Sequence, residues 1–118
     1  FAEKNNGAFF NNHRIRVSKK SNINDCLFAT NDKVITELDF PNRKSGCAAL
    51  DMAYVAAGRY DGYFQKKLNL WDIASGMLLV QEAGGVISDI NINNLKNINI
   101  IASNSNINQE FQKKVLNF

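Results

Sequence analysis

The stretch from Trp71 to Gly85 constrains the fold of this chain most. Trp71-Asp72-Ile73-Ala74-Ser75-Gly76 marks a loop turning into a helix, and Met77-Leu78-Leu79-Val80-Gln81-Glu82-Ala83 continues it with buried-helix character. Gly84-Gly85 then supplies the glycine stop typical of a helix C-terminus. An apolar helix needs a sheet or a second helix to cover it, so the chain has to build a layered domain. The same reading places Asp72 at or beside the N-cap, where backbone amides and the helix dipole favour an anion. Two roles fit that position. Asp72 either caps its own helix or presents a fixed carboxylate to a hard divalent cation, with a phosphate held by the neighbouring amides.

Composition narrows the class. Hydrophobic residues make up 45% and charged residues 21% of 118 residues, the balance of one modest globular domain or part of a larger one. No apolar run reaches the roughly 20 residues that cross a bilayer, so no membrane partner is expected. The chain opens on Phe1-Ala2-Glu3-Lys4, without Met or an apolar leader segment, which reads as the middle of a protein. Arg14, Arg16, Lys19 and Lys20 cluster early but lack the interleaved aromatics of a strand-based nucleic-acid binder, so they are expected to form a solvated basic face. Cys26 and Cys47 are too few for a zinc site or disulfide framework and read as small core hydrophobes in a reducing, cytoplasmic setting. His13 is the only histidine, which argues against a histidine-based triad or a multi-histidine metal site. Any metal would be bound through oxygen. The abundant Asn falls in turn positions such as Asn91-Ile92-Asn93-Asn94 and Asn104-Ser105-Asn106 and carries no catalytic information.

Ala8-Phe9-Phe10, Asn11-Asn12 and His13 to Val17 predict a β-hairpin with an Asn turn. Cys26 to Thr30 predicts a buried strand, and Asn31 to Asn42 a connection with one turn of helix. Ser45-Gly46 opens a helix over Cys47 to Ala57, closed by Gly58, whose alanines allow a neighbouring backbone to approach closely. A turn at Arg59–Gly62 leads to an aromatic strand ending at Gln65. Two more strands are expected at Val86–Asp89 and Asn99–Ala102, then a helix over Asn108–Leu116 with Phe111, Val115 and Leu116 near one face. After the hairpin the order is β-α-β-α-β-β-α: a layered α/β domain with helices against a mixed sheet. Three pieces belong together in that scheme: the helix start at Ser45-Gly46-Cys47-Ala48, the polar strand end at Gln65, and Asp72. Strand C-termini facing helix N-termini are where α/β sheets hold ligands. Asp51 and Glu82 are expected to tie loops through hydrogen bonds, Asp61 to make a turn with Gly62, Asp89 to end a strand, and Trp71 to be a packing anchor.

The run Gly46-Cys47-Ala48-Ala49-Leu50-Asp51-Met52-Ala53-Tyr54-Val55-Ala56-Ala57-Gly58-Arg59-Tyr60-Asp61-Gly62-Tyr63, continued by Trp71-Asp72-Ile73-Ala74-Ser75-Gly76 and Glu82-Ala83-Gly84-Gly85-Val86-Ile87-Ser88-Asp89, resembles the C-terminal half of inositol monophosphatases. The likeness is to the bacterial extragenic-suppressor type, and Ala2-Glu3-Lys4 to Gly7-Ala8-Phe9 resembles that family's central hairpin. The resemblance implies the C-terminal half of the sugar-phosphatase fold. Residues 1–24 would be a hairpin remnant of the central sheet and residues 25–118 a C-terminal α/β domain. It implies Mg²⁺-dependent hydrolysis of inositol phosphate or a related polyol or sugar phosphate, the metal polarising the phosphate and activating water. Asp72 would be a catalytic metal ligand, with Gly46, Cys47 and Ala48 lying along the substrate. Gln65 stands where many members carry a Glu, so one acceptor remains, the charge is lost and donors are added. The family's remaining metal ligands, in a Glu-Glu motif and an Asp-Pro-x-Asp-Gly-Thr motif, do not occur in this chain, and the Thr30–Arg43 segment is shorter than usual. A lone carboxylate holds hydrated Mg²⁺ poorly. The resemblance also implies a homodimer, and offers as rivals a non-enzymatic module contacting transcription-complex proteins in ribosomal RNA synthesis, or a decayed remnant.

Overall fold

Asn11 and Asn12 adopt positive φ, at 50° and 65°, which is the signature of the two-residue turn that matches strand twist and which Asn tolerates better than other side chains. This turn joins β2 (Gly7–Phe10) to β3 (His13–Ile15), as the hairpin reading predicts, and a short β1 (Ala2–Glu3) pairs antiparallel with β2 to give a three-stranded sheet, β1-β2-β3. The structure, a computed structural model, describes residues 2–30, 42–43, 47–88 and 98–116. The expected helical turn within Asn31–Asn42, the Asn91–Asn94 turn and Asp89 lie outside the described residues.

A second sheet has five strands: β4 (Phe28–Thr30), β5 (Asn42–Arg43), β6 (Gly62–Leu68), β7 (Val86–Ser88) and β8 (Ile98–Ser103), in the order β5-β4-β6-β8-β7. β4 runs parallel to β5 and β6, while β8 is antiparallel to both β6 and β7. Three helices accompany it: α1 (Ala48–Ala56), α2 (Leu70–Glu82) and α3 (Asn108–Leu116). Beyond the first hairpin this is the expected order, with β5 added where the sequence suggested only a connection.

Side-chain alternation shows that both faces of the larger sheet are covered. Ala29, Tyr63, Ile100 and Ala102 join Met52, Val55 and Ala56 of α1 and Ile73 and Val80 of α2 in one core. Their neighbours Phe28, Phe64 and Ile101 point the other way, into a second core with Ile23, Cys26, Ile107 and Phe111. There the Phe28 and Phe111 rings stack with centroids 4.3 Å apart. The layers run from the small sheet through α1 and α2 and the five-stranded sheet to α3. Within the helix layer Gly76 is the close-approach point, because a Cβ there would stand 2.9 Å from the Met52 Cβ.

α1 and α2 end alike. Gly58 (φ +77°) and Gly84 (φ +89°) follow the last helical turns in left-handed geometry. The Arg59 amide donates to the Tyr54 carbonyl and the Gly85 amide to the Val80 carbonyl, closing each helix with the six-to-one bond of a Schellman motif. Gly85 has no room for a side chain: a Cβ would lie 2.6 Å from the Val80 Cγ1.

Candidate functional site

β4, β6 and β7 share one direction, and α1 and α2 are the crossovers that return the chain to β6 and β7. A crossover helix runs against its strands, so both helices begin at the carboxyl edge of β4, β6 and β7. Cys47 is the N-cap of α1 and Ala48 its first residue, while Asp72 lies in the first turn of α2. Three of the positions singled out in the sequence therefore gather at the sheet edge where α/β folds bind ligands. Neither cap residue, Cys47 nor Asn69, bonds its helix through a side chain, so the dipole-positive ends of both helices are uncapped by their own cap residues. Gly46 and the Asp72 side chain lie outside the described part of the molecule.

Four expectations need correction. Asp72 is not the cap of α2: Asn69 takes that place, and the helix starts at Leu70, which packs against the core, leaving Asp72 at the third helical position. Gln65 is not a strand end, because β6 continues to Leu68, which pairs with Ile98 after a register shift beyond Gln65 and its partner Ile100. Half-buried Gln65 sits beside that irregularity. Cys47 is exposed, since it precedes α1 in extended backbone before the helix turns into the core. Trp71 is no packing anchor but 88% exposed, because Ile73, Gly76 and Val80 form the inward stripe of α2 and Trp71 falls on the opposite side with Ala74 and Ser75.

Other readings hold. Cys26 is buried, and burial, reinforced by the Asp61 carboxylate, pushes its thiol up to about 11. The Arg14, Arg16, Lys19 and Lys20 side chains are exposed. Glu82 ties a loop, as expected of it. Its Oε1 accepts from the Gly7 amide at 2.9 Å, and this bond, with the Asn5 and Asn6 amides and the nearby Arg14, holds the carboxyl below the usual range.

Asp61 does far more than the turn expected of it. It is 2% exposed; Oδ1 accepts from the Ser18 hydroxyl, and Oδ2 from the Leu27 amide at 2.8 Å and from Lys20 Nζ at 3.3 Å. Asn104 extends the latch by donating to the Ser18 Oγ and the Lys20 carbonyl. The only signal was an Asp-Gly step ahead of a strand, which reads as an ordinary turn. Buried Asp51 of α1 and buried Tyr63 of β6 also lie near the start of α1. Burial and then the Asp51 and Cys47 charges push the Tyr63 phenol well above its ordinary value, and its Oη finds no partner among the described residues.

Comparison with known proteins decides the lineage, since the profile of the inositol monophosphatase family matches residues 1–117. The chain belongs to the inositol monophosphatase family. It is 39% identical over 126 residues to the fructose-1,6-bisphosphatase/inositol-1-monophosphatase of Thermotoga maritima, a match covering 98% of this chain and 49% of that protein. It is 42% identical over 105 residues to the Nus factor SuhB of Pseudomonas aeruginosa, covering 75% of this chain and 39% of the relative. Among solved structures, the extragenic suppressor protein suhB of Bartonella henselae superimposes with a TM-score of 0.86 at 41% identity, over 97% of this chain and 52% of that one. The chain thus spans about half the length of the relatives it matches, and its layered sheets and helices are those of this family's C-terminal half. Membership assigns it to a phosphatase-type family. No helix among the described residues is long and apolar enough to cross a membrane.

Proposed function

We propose that this chain forms the C-terminal half of a Mg²⁺-dependent phosphatase for inositol monophosphate or a related polyol or sugar phosphate. In this reading Gly46, Cys47 and Ala48 line the substrate, Gln65 meets a polyol hydroxyl, and Asp72 is one metal ligand. The observation that carries the reading is the meeting of two helix starts, without side-chain caps, at one carboxyl edge of parallel strands. Such an edge offers backbone amides to a phosphate. Relatives named inositol-1-monophosphatase, including that of Rhizobium meliloti at 39% identity, point to the same chemistry.

Among the described residues no group of three His, Cys, Asp or Glu side chains could hold a metal ion. This chain's described residues therefore do not fit a resident Mg²⁺ by themselves, and hydrolysis cannot be written through them alone. The remaining ligands would come from the other half of the family fold, in the same polypeptide or in a second chain.

Phosphate release from inositol 1-phosphate with Mg²⁺ tests this. The chain alone is expected to be inactive, and the chain joined to the other half of the fold to be active. Asp72→Asn should then lower turnover by more than the roughly 10–100-fold that losing an outer hydrogen-bond partner of a metal ligand costs. Activity that survives Asp72→Asn overturns the reading. Gln65→Glu should shift the preference among polyol phosphates while leaving phosphate release intact.

A second reading is a protein-interaction module in transcription, supported by relatives named Nus factor SuhB. Here exposed Arg14 and Arg16 would contact the partner. Pull-down of transcription proteins that charge reversal at both positions leaves unchanged would remove its support.

A further inference from the structure

Cys47 takes the N-cap of α1 in the extended backbone proper to that position, with φ −132° and ψ 110°. Cap residues normally bring an oxygen there, because the open amides of the first turn need an acceptor and a thiol sulfur is a weak one. The Cys47 side chain makes no such bond to its helix. Asp and Asn, among the strongest caps, carry their acceptor oxygen two bonds beyond Cβ. An oxygen added to the Sγ of Cys47 stands at the same remove. Cys47 is also exposed, and the dipole-positive start of a helix is a setting in which thiols react.

A second group points to the same turn. Tyr63 of β6 is fully buried in the core that Ala48, next to Cys47, packs against, and its hydroxyl has no partner among the described residues. Besides burial, the charges that act on this hydroxyl are those of Asp51 and Cys47, so it faces the first turn of α1. A buried donor without an acceptor is costly, which marks this turn as short of an oxygen.

We infer that Cys47 is a reversible oxidation site: hydrogen peroxide converts it to a sulfenic acid whose oxygen caps α1, and a low-molecular-weight thiol such as glutathione restores it. The thiolate sulfur attacks one peroxide oxygen. The S–O bond forms as the O–O bond breaks, sulfur gives up two electrons, and the departing hydroxide takes a proton to become water. A glutathione thiolate then attacks the sulfenic sulfur, forming an S–S bond and expelling the oxygen as water. A second glutathione exchanges with that disulfide, returning Cys47 to the thiol and leaving glutathione disulfide. Cys26 cannot be the resolving thiol. It is buried with Phe28 and Phe111 on one face of the five-stranded sheet, whereas α1, which Cys47 opens, packs on the other. The resolving thiol therefore comes from solution. The assignment rests on the geometry of α1. Its consequence for turnover alone rests on the phosphatase reading, in which the amides that the new oxygen occupies are those offered to the phosphate.

The test treats the 118-residue chain with hydrogen peroxide in the presence of dimedone, which traps sulfenic acids, and locates the adducts by peptide mass spectrometry. Cys47 is expected to carry the adduct and Cys26 none. With glutathione in place of dimedone, a mixed disulfide should form at Cys47 and disappear on treatment with dithiothreitol. Peroxide alone should raise the melting temperature toward that of Cys47→Asp, which fixes an oxygen at the cap, and reduction should bring it back. Cys47→Ala, at an exposed position, should show no peroxide-induced rise. Adducts on Cys26 in preference, or a folded chain unlabelled at Cys47 while the denatured chain labels there, overturn the inference. So does a melting temperature that peroxide leaves unchanged or lowers, or that Cys47→Asp fails to raise. A rise that persists in Cys47→Ala traces the effect to Met52 or Met77 and overturns it too. These readouts need no activity. A chain that oxidises in this way yet, when reduced and joined to the other half of the fold, releases no phosphate fails the phosphatase reading alone.

Discussion

On one face of the five-stranded sheet, Phe28, Phe64 and Ile101 meet Ile107 and Phe111, and all five are buried. Across the helix layer, on the α1 side of the small sheet, Phe10 and Leu50 stand largely in solvent around an open trough. Both regions are built from apolar side chains at the right spacing; what differs is whether the chain brings its own cover. α3 closes the first region because Asn104 accepts from the Ile107 amide through its side chain and turns the backbone into the helix. Nothing in the described chain does the same for α1. Apolar patterning thus marks which surfaces want a partner, and connectivity decides which of them get one from within.

Substitutions on the two sides should separate them. Phe111→Ala removes a fully buried ring stacked on Phe28, and should cost about 3–5 kcal/mol, read from the urea midpoint at constant slope. A loss under about 1 kcal/mol would mean the closed face is no tighter than the open one. Gly76→Val tests the layer between, where α1 and α2 nearly touch at Met52, and should cost about 1–3 kcal/mol through overpacking. Met52→Ala in the same chain should recover part of that loss, since the two sites are in contact.

Glu82 fastens the small sheet to α2, and its contribution is lost in acid. Its carboxyl lies below the ordinary 4.5 in the folded chain, chiefly because the Gly7 amide bonds it. That contribution is therefore fully present above the unfolded value and is lost as pH falls through the lower folded value. Between neutral pH and that acid range the difference in stability between the natural chain and Glu82→Gln should shrink; a constant difference would dissociate Glu82 from the amides of the β1–β2 turn. Smallest of all should be Leu50→Glu, within about 0.5 kcal/mol in the chain alone, because its side chain is already in water. A large loss there would show that the trough is closed after all.

Much of this was legible before any coordinates. The Asn11-Asn12 hairpin, both glycine-terminated helices and, β5 apart, the order of elements after residue 25 follow from local rules about φ and periodicity, and the structure repeats them. The gathering of Cys47, Ala48 and Asp72 at one sheet edge was readable because a crossover helix runs back against its strands and so begins at their carboxyl ends. Exact placements were not. The start of α2 depends on Leu70 finding the core, and the length of β6 on a register shift with β8, both of them tertiary outcomes that no window of sequence contains. Trp71 misled for a related reason: a large apolar residue beside a motif reads as an anchor until the inward stripe of α2 is known. Asp61 was invisible because its partners Ser18, Lys20 and Leu27 are more than thirty positions away in the chain.

The exposure of Trp71 has a practical consequence. It is the sole indole in the chain, at the head of the helix that carries Asp72 and almost wholly in water. The protein therefore comes with a built-in optical probe: its emission should be red-shifted and readily quenched by acrylamide. Anything that settles over the beginning of α2 would announce itself as a blue shift, without a label attached or a residue changed.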